Sequence, residues 1–306
     1  MRTTIFYLVY RGAAFRPGES EVLMLIENTL FGMRDKAKIA IDRLRTFEPP
    51  EGYYLAFSGG KDSQCIYHLA KEAGVKFDAH YHLTTVDPPE LVYFIRDYYP
   101  DVIVDIPAKT MWQLIVENGG PPTRIQRYCC RELKERGGEG RITVTGVRWT
   151  ESIRRKNTRG LAEFMGHKTK DRILFNDNDE ARRMVEDCKQ KGKFVLNPII
   201  DWTDNDVWEY IRSRDLKYCK LYDEGEKRIG CIGCPMGNTK GMEADFKRWT
   251  KYRANYIIAF ERMLQRRRER GKKEIWTNAE DVMHWWIYGQ DKNPIIMDGQ
   301  QELEME

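Results

Sequence analysis

Short runs with dense or strictly alternating apolar positions trade places with longer stretches whose apolar residues recur every three or four positions, from residue 53 to residue 147. Residues 53–57, 77–83, 102–106 and 142–147 have the first pattern and read as strands. The second pattern runs through Ile66, Leu69 and Ala70 to a stop near Gly74, then over residues 89–98 and 111–116, and reads as helices. Strand and helix in turn predict an α/β fold, a Rossmann-like parallel sheet with helices on both faces. Right-handed crossovers align the loops that follow the strands along one edge of the sheet, where ligands of open α/β folds sit.

The flanks are less regular. Residues 19–47 read as one helix, with Val22, Ile26, Leu30 and Met33 as its apolar positions and Pro49 and Pro50 as its stop. Beyond Asn157 come a polar helix over residues 179–191 and an apolar segment over 194–200. Thr203 then reads as the N-cap of a helix carrying Val207, Trp208 and Ile211, with Asp204 and Asp206 suited to its first turn. One long helix is expected over residues 243–270, and Trp202 and Trp208 are expected in the core. The resulting division is an N-terminal lead-in (1–50), a nucleotide-binding domain (51–240) and a C-terminal helical extension (241–306).

Composition narrows the class. Of 306 residues, 41% are hydrophobic and 32% charged, as in a soluble globular protein. No run approaches the roughly 20 apolar residues of a membrane span, and residues 1–18 carry Arg2, Arg11 and Arg16 without a signal-peptide apolar block, so the expected location is the cytoplasm. The net charge of +4 is small but unevenly spread. Residues 124–159 hold eleven Lys or Arg against four Glu, and residues 262–273 seven against one. Either stretch could meet nucleic-acid phosphates, although the second also suits the solvated face of a helix.

Candidate chemistry begins at Ser58, Gly59, Gly60, Lys61, Asp62 and Ser63, which follow a strand and open a helix. Successive backbone N–H groups and the helix dipole there converge on an anion. The glycines allow a tight turn and Lys61 adds a mobile charge, while Asp62 can hold magnesium or orient the loop. The spacing matches neither the Walker pattern nor the dinucleotide fingerprint. Arg148, at the end of a later strand, has the forked geometry for phosphate or sulfate oxygens, the plainer alternative being an ion pair with Glu151.

Four of the seven cysteines form a second set, Cys129 with Cys130 and Cys231 with Cys234. A Cys-x2-Cys turn aims two sulfurs at one centre, as in zinc and iron-sulfur sites. Adjacent cysteines fit one small zinc ion poorly and suit the separated irons of a cluster better, with structural zinc and unliganded thiols as the alternatives. Cys65, Cys188 and Cys219 read as plain thiols, Cys65 packing under the phosphate loop.

The loop Ser58 to Ser63 resembles the PP-loop of ATP pyrophosphatases and of the phosphoadenosine phosphosulfate (PAPS) and adenylyl-sulfate reductases. Gly146, Arg148, Glu151 and Ser152 are similar to the Gly-x-Arg-x2-Glu-Ser element of that family, and the block 197–203 with Val207, Trp208 and Tyr210 is similar to a further one. Thr85 and Asp87 fall where the family carries an Asp-containing nucleotide loop, although Pro88, Pro89 and Glu90 depart from the reductases' usual sequence. The resemblance implies an adenine nucleotide alpha hydrolase-like fold and nucleotide contacts from Ser58 to Ser63, Thr85, Asp87 and Arg148, with Lys61, Asp62 and Arg148 in the catalytic machinery. It also implies a 4Fe-4S cluster on Cys129, Cys130, Cys231 and Cys234. The reductases attack the sulfate sulfur with a cysteine near the C-terminus, and no cysteine follows Cys234 here. That shifts the expectation to adenylation with ATP and magnesium followed by sulfur transfer, with a sulfur donor as partner and nucleic acid among the acceptors. The alternatives are a reductase whose thiol is Cys219 or comes from a thioredoxin-like partner, and a non-catalytic nucleotide-binding subunit.

Overall fold

The computed structural model describes residues 25–29, 32–165, 172–175 and 193–289. Where the helix over 19–47 is expected, residues 19–24, 30 and 31 lie outside the described residues, and the described ones form a hairpin before any helix starts. β1 (Ile26–Thr29) pairs antiparallel with β2 (Gly32–Asp35), and only then does α1 (Lys36–Thr46) start. Asp35 sets that start, because its extended backbone and a side chain that accepts from Lys38 N cap the helix there. Ile26 and Met33, which suggested a buried helical stripe, are both exposed.

The alternating segment folds as expected, through β3 (Tyr53–Ala56), α2 (Lys61–Ala73), β4 (Phe77–His82), α3 (Pro89–Tyr98), β5 (Ile103–Asp105) and α4 (Met111–Asn118). Next come α5 (Tyr128–Leu133), β6 (Thr143–Val144), α6 (Ile153–Thr158), β7 (Ala162–Met165), β8 (Arg172–Phe175), β9 (Lys193–Leu196) and α7 (Asp204–Ser213). The seven-stranded sheet has the order β5-β4-β3-β6-β9-β7-β8. Pairing is parallel from β5 to β9, and the antiparallel pair β7 and β8 extends the β9 edge, an addition that strand and helix rhythm did not announce. Helices cover both sides of this mixed α/β sheet. From β3 the chain moves outward through β4 to β5 and then returns to β6 on the other side of β3. The strand order therefore reverses between β3 and β6, and the loops leaving these two strands flank the crevice.

The main core joins Leu55, Ile66, Leu69, Phe94, Val207, Ile211 and the fully buried Trp202 with Ala40 and Leu44 of α1. Trp208 packs partly buried against it. The N-cap at Thr203 is as expected, a capping box with Asp206 at the head of α7. The long helix expected over 243–270 is two, α8 (Thr239–Arg248) and α9 (Thr250–Glu269), because the backbone leaves helical geometry at Trp249. With α10 (Ala279–His284) they form a second core around Phe246, Tyr256, Phe260, Met263 and Trp286, which also takes in α4, α5 and the loop residue Val86. The helix expected over 179–191 lies outside the described residues. No helix among the described residues is long and apolar enough to cross a membrane.

Candidate functional site

The turn from β3 into α2 is shaped by what surrounds it. Gly59 has φ +70°, and a Cβ there would stand 2.7–2.8 Å from the Ile95 and Leu91 side chains, so α3 packs directly on the loop backbone. Ser63 Oγ donates to Gly60 O at 2.9 Å, Ser58 Oγ to Ser63 Oγ at 3.2 Å and Gln64 Nε2 to Gly59 O at 3.0 Å. These bonds fix the loop. Cys65, one turn into α2, is buried beneath it, and burial pushes its thiol well above the ordinary range. It is a packing residue, as expected.

The second wall arrives from β6. A Cβ on Gly146 would meet the backbone of Asp62 at 3.0 Å, so only glycine lets this strand end pass so close to the head of α2. Two residues on, Arg148 is buried, with its guanidinium held on three sides. Nε donates to Asp62 Oδ1 at 2.8 Å, Nη2 to Asp204 Oδ1 at 2.6 Å and Nη1 to Thr150 Oγ1 at 2.9 Å. The ion pair with Glu151 does not form. The Glu151 carboxylate pairs with Arg155 and accepts only the backbone N–H of Arg148.

Lys61 is buried too, its Nζ 3.0 Å from Lys227 O, 3.6 Å from Asp204 Oδ1 and 4.0 Å from Asp62 Oδ2. The backbone N–H of Lys61, a donor available to an anion at the helix head, donates to Tyr222 Oη at 2.9 Å. Tyr222 closes a 3-10 turn (Lys220–Tyr222). Two cations and two carboxylates thus meet at the mouth of the β3/β6 crevice. Burial alone would raise the Asp204 carboxyl, but hydrogen bonds and charge from Arg148 and Lys61 hold it below the ordinary value. Asp204, read in the sequence as a first-turn helix residue, is the site member that reading missed, and so are Tyr222 and the Lys227 carbonyl.

Thr85 and Asp87 turn elsewhere. Thr85 has φ +66°, an uncommon conformation for a β-branched residue, and its Oγ1 accepts from Met111 N at 3.0 Å. Asp87 accepts from Thr84 N at 2.6 Å. Ile232 N donates to Val86 O at 2.8 Å, and the Cys231 thiol lies 3.5 Å from Thr84 Oγ1. The loop after β4 is therefore fastened to the Cys231 to Cys234 turn.

Cys129 and Cys130, on α5, line one cavity together with Cys231 and Cys234. Gly233, at φ +70°, gives the second pair its turn, and its N–H donates to Asp245 Oδ2 at 2.9 Å. Hydrogen bonds from Cys129 and from Arg127 lower the Cys130 thiol below its ordinary value against the opposing effect of burial, while the same contact and burial raise Cys129. Burial pushes the Cys231 thiol up, with the Lys134 ammonium opposing. Among the described residues no three or more His, Cys, Asp or Glu side chains are gathered as ligands of a metal ion. Cys219 is buried beside the sheet core and its thiol is raised by that burial.

Residues 52–236 match the phosphoadenosine phosphosulfate reductase domain family. The adenosine 5'-phosphosulfate reductase of Staphylococcus epidermidis is 29% identical over 235 residues, covering 71% of this chain and 85% of its own. An uncharacterized protein of Methanocaldococcus jannaschii is 28% identical over 208 residues, covering 63% of this chain and 43% of its own. Against that protein and a second one from the same organism, the chain spans about two fifths of the relative's length. A solved PAPS reductase from Candida auris, in a phosphate complex, aligns at 15% identity and a TM-score of 0.44 over 63% of this chain and 87% of its own.

Proposed function

The chain belongs to the phosphoadenosine phosphosulfate reductase domain family, and from that premise we propose that it binds an adenine nucleotide at the β3/β6 crevice and adenylates a substrate for sulfur transfer. The observation that carries this reading is the meeting of Lys61, Arg148, Asp62 and Asp204 at the point where the strand order reverses. In it, the N–H groups at the head of α2 and Lys61 take the phosphate oxygens, and Arg148 braces the loop from behind. Asp62 and Asp204 supply carboxylate oxygens for magnesium on the polyphosphate. The substrate nucleophile attacks the α-phosphorus, the bond to the β-phosphate oxygen breaks, and pyrophosphate leaves. A donor's sulfur then displaces AMP from the adenylated atom.

The cysteine cavity supports a second component of the same reading. Four thiols line one chamber, two from α5 and two from the Cys231 to Cys234 turn. A cubane presents separate iron atoms, so its ligands need not share the contracted geometry of a zinc site. Cys129, Cys130, Cys231 and Cys234 would hold the cluster. When bound, it would supply a site for electron transfer or sulfur chemistry next to the loop carrying Thr84 to Asp87. Iron and acid-labile sulfide measured after anaerobic purification test this, and stoichiometric zinc without sulfide would exclude it.

The names of the relatives favour one other reading, reduction of an adenylyl sulfate. There a thiolate attacks the sulfate sulfur, the sulfur-oxygen bond to the nucleotide breaks, AMP leaves, and a second thiol releases sulfite as a disulfide forms. Cys219 is buried and its thiol is raised by that burial, which favours a thioredoxin-like partner's thiol for the first step. Incubating reconstituted protein with ATP and, separately, with each adenylyl sulfate decides between them. Pyrophosphate release is expected, and sulfite release would overturn the adenylation reading.

A further inference from the structure

On the far side of α4 from the cysteines, a groove of about 580 Å³ runs between α4 and α9. Its floor and walls include Trp112 and Gln113 of α4 and Asn255, Ile258, Arg262 and Arg266 of α9. Its charges are unbalanced. Arg267 and Arg268, from the same basic run, are engaged, donating to Gly119 O and pairing with Glu274. Arg262 and Arg266 have no carboxylate or carbonyl partner among the described residues, although they stand one helical turn apart on the same face. Like charges at that spacing repel, and an anion between them relieves the repulsion. The one carboxylate in the groove, Glu117, is already paired with Lys109 at 2.7 Å.

We propose that this groove binds a single strand of nucleic acid, with Arg262 and Arg266 on consecutive phosphates and Trp112 and Ile258 as the surface on which a base lies. The spacing suits the strand, since residues four apart on a helix rise about 6 Å. The groove's volume takes a nucleotide or two and excludes a duplex. The amide of Asn255 offers a paired donor and acceptor to a base edge, and Gln113, whose Oε1 accepts from Thr110 N at 2.8 Å in the cap of α4, offers its side-chain N–H groups. An indole with an aliphatic neighbour beside cationic phosphate contacts is the combination that single-strand sites use. An acidic peptide would use the arginines but leave the aromatic and amide groups idle. This assignment deepens the function proposed above by naming single-stranded nucleic acid as its substrate class, and rests on that reading for its purpose. The binding itself requires no adenine nucleotide.

The test is fluorescence anisotropy of a labelled twelve-nucleotide strand with the full chain, at low and moderate salt and without nucleotide. Binding is expected, with the Arg262→Ala/Arg266→Ala double variant about tenfold weaker and its log-log salt slope smaller by about 1.4, the loss of two phosphate contacts. The charge-matched control Arg268→Ala/Arg270→Ala is expected to stay within twofold of the parent. No binding by the parent, equal losses in the two double variants, equally tight binding of a duplex, or displacement by polyglutamate as effective as by unlabelled strand would each overturn the proposal. ATP binding is measured on the same variants and on Lys61→Ala. A Lys61→Ala protein that loses the strand but keeps ATP would also sink it. One that keeps both strikes the nucleotide site alone.

Discussion

Arg148 shows how a single side chain links loop to sheet. Its fork reaches Asp62 at the head of α2 and Asp204 at the head of α7, so it braces the phosphate loop against the far side of the crevice. A lysine keeps the charge but can bond only one of the two carboxylates at a time. Arg148→Lys is therefore expected to weaken ATP binding about tenfold by calorimetry. Arg148→Ala, which leaves two carboxylates facing each other, should lose binding altogether and about 1–3 kcal/mol of stability. Lys61→Ala makes a useful contrast. It removes the phosphate contact proposed for Lys61, whose present partners are a carbonyl, the half-buried Asp62 carboxylate and the exposed Asp204 carboxylate, so affinity should fall by tenfold or more with a smaller change in melting temperature than for Arg148→Ala. Equal effects on affinity and melting in both variants would deny Arg148 its bracing role. Lys61, Asp62 and Arg148 could be singled out in the sequence because each stands within two residues of a glycine at a strand end, but the pairing of Arg148 with Asp62 and Asp204 could not be read there. Asp204 could not be singled out, since its local signal is fully explained by the helix dipole and its partner lies 56 positions away.

Among the elements, those with their own stop signals were read almost to the residue, as α3 between Pro89 and Tyr98 shows. Those defined by distant partners were not. β7 and β8 exist because β9 offers an edge to pair with, and α1 begins where Asp35 caps it, after a hairpin in which Ile26 and Met33 are exposed. α1 packs on the sheet core through Ala40 and Leu44, and ion pairs add to that packing. Arg43 donates to Asp201 Oδ1 at 2.8 Å and to Pro198 O at 2.8 Å, in the segment between β9 and α7. Burial alone would raise the Asp201 carboxyl, but the Arg43 hydrogen bond and charge overcome it and hold it below the ordinary value. A carboxyl depressed in the folded state contributes stability that is fully present above its unfolded value of about 3.9 and is lost as pH falls through its lower folded value. Asp201→Asn should therefore cost about 1–3 kcal/mol at pH 7 in urea unfolding, with the gap from the parent closing below about pH 4. A gap that stays constant down to pH 2 would mean that the pair adds nothing through its charge.

At the scale of the whole molecule, the cysteine cavity lies where the sheet and the C-terminal helices are joined. The main core contains the strands and α2, while the second core holds Tyr128, Leu133 and Ile232 together with Tyr256 and Phe260, so all four cysteines belong to the helical side. That side touches the nucleotide half through the loop after β4, where Ile232 N bonds Val86 O and Tyr252 Oη donates to Asp87 O at 3.0 Å. The sequence spacing of the cysteines was enough to pair them, but not to reveal that Thr85 and Asp87 serve this junction, because both are tied to residues far along the chain. If the four thiols hold a cluster, its ligand bonds tie α5 to the Cys231 to Cys234 turn across the cavity, and removing the iron takes those ties away. Hydrogen exchange on the chelated, reduced protein should then show protection falling first in α5, in the turn and along residues 250–264, while α2 and the β3/β4 pair keep theirs. Melting should move down by several degrees and become broader as the two cores uncouple. Uniform loss of protection across both cores would instead mean that the molecule opens as one unit, with the cysteine cavity giving no independent stability to the helical side.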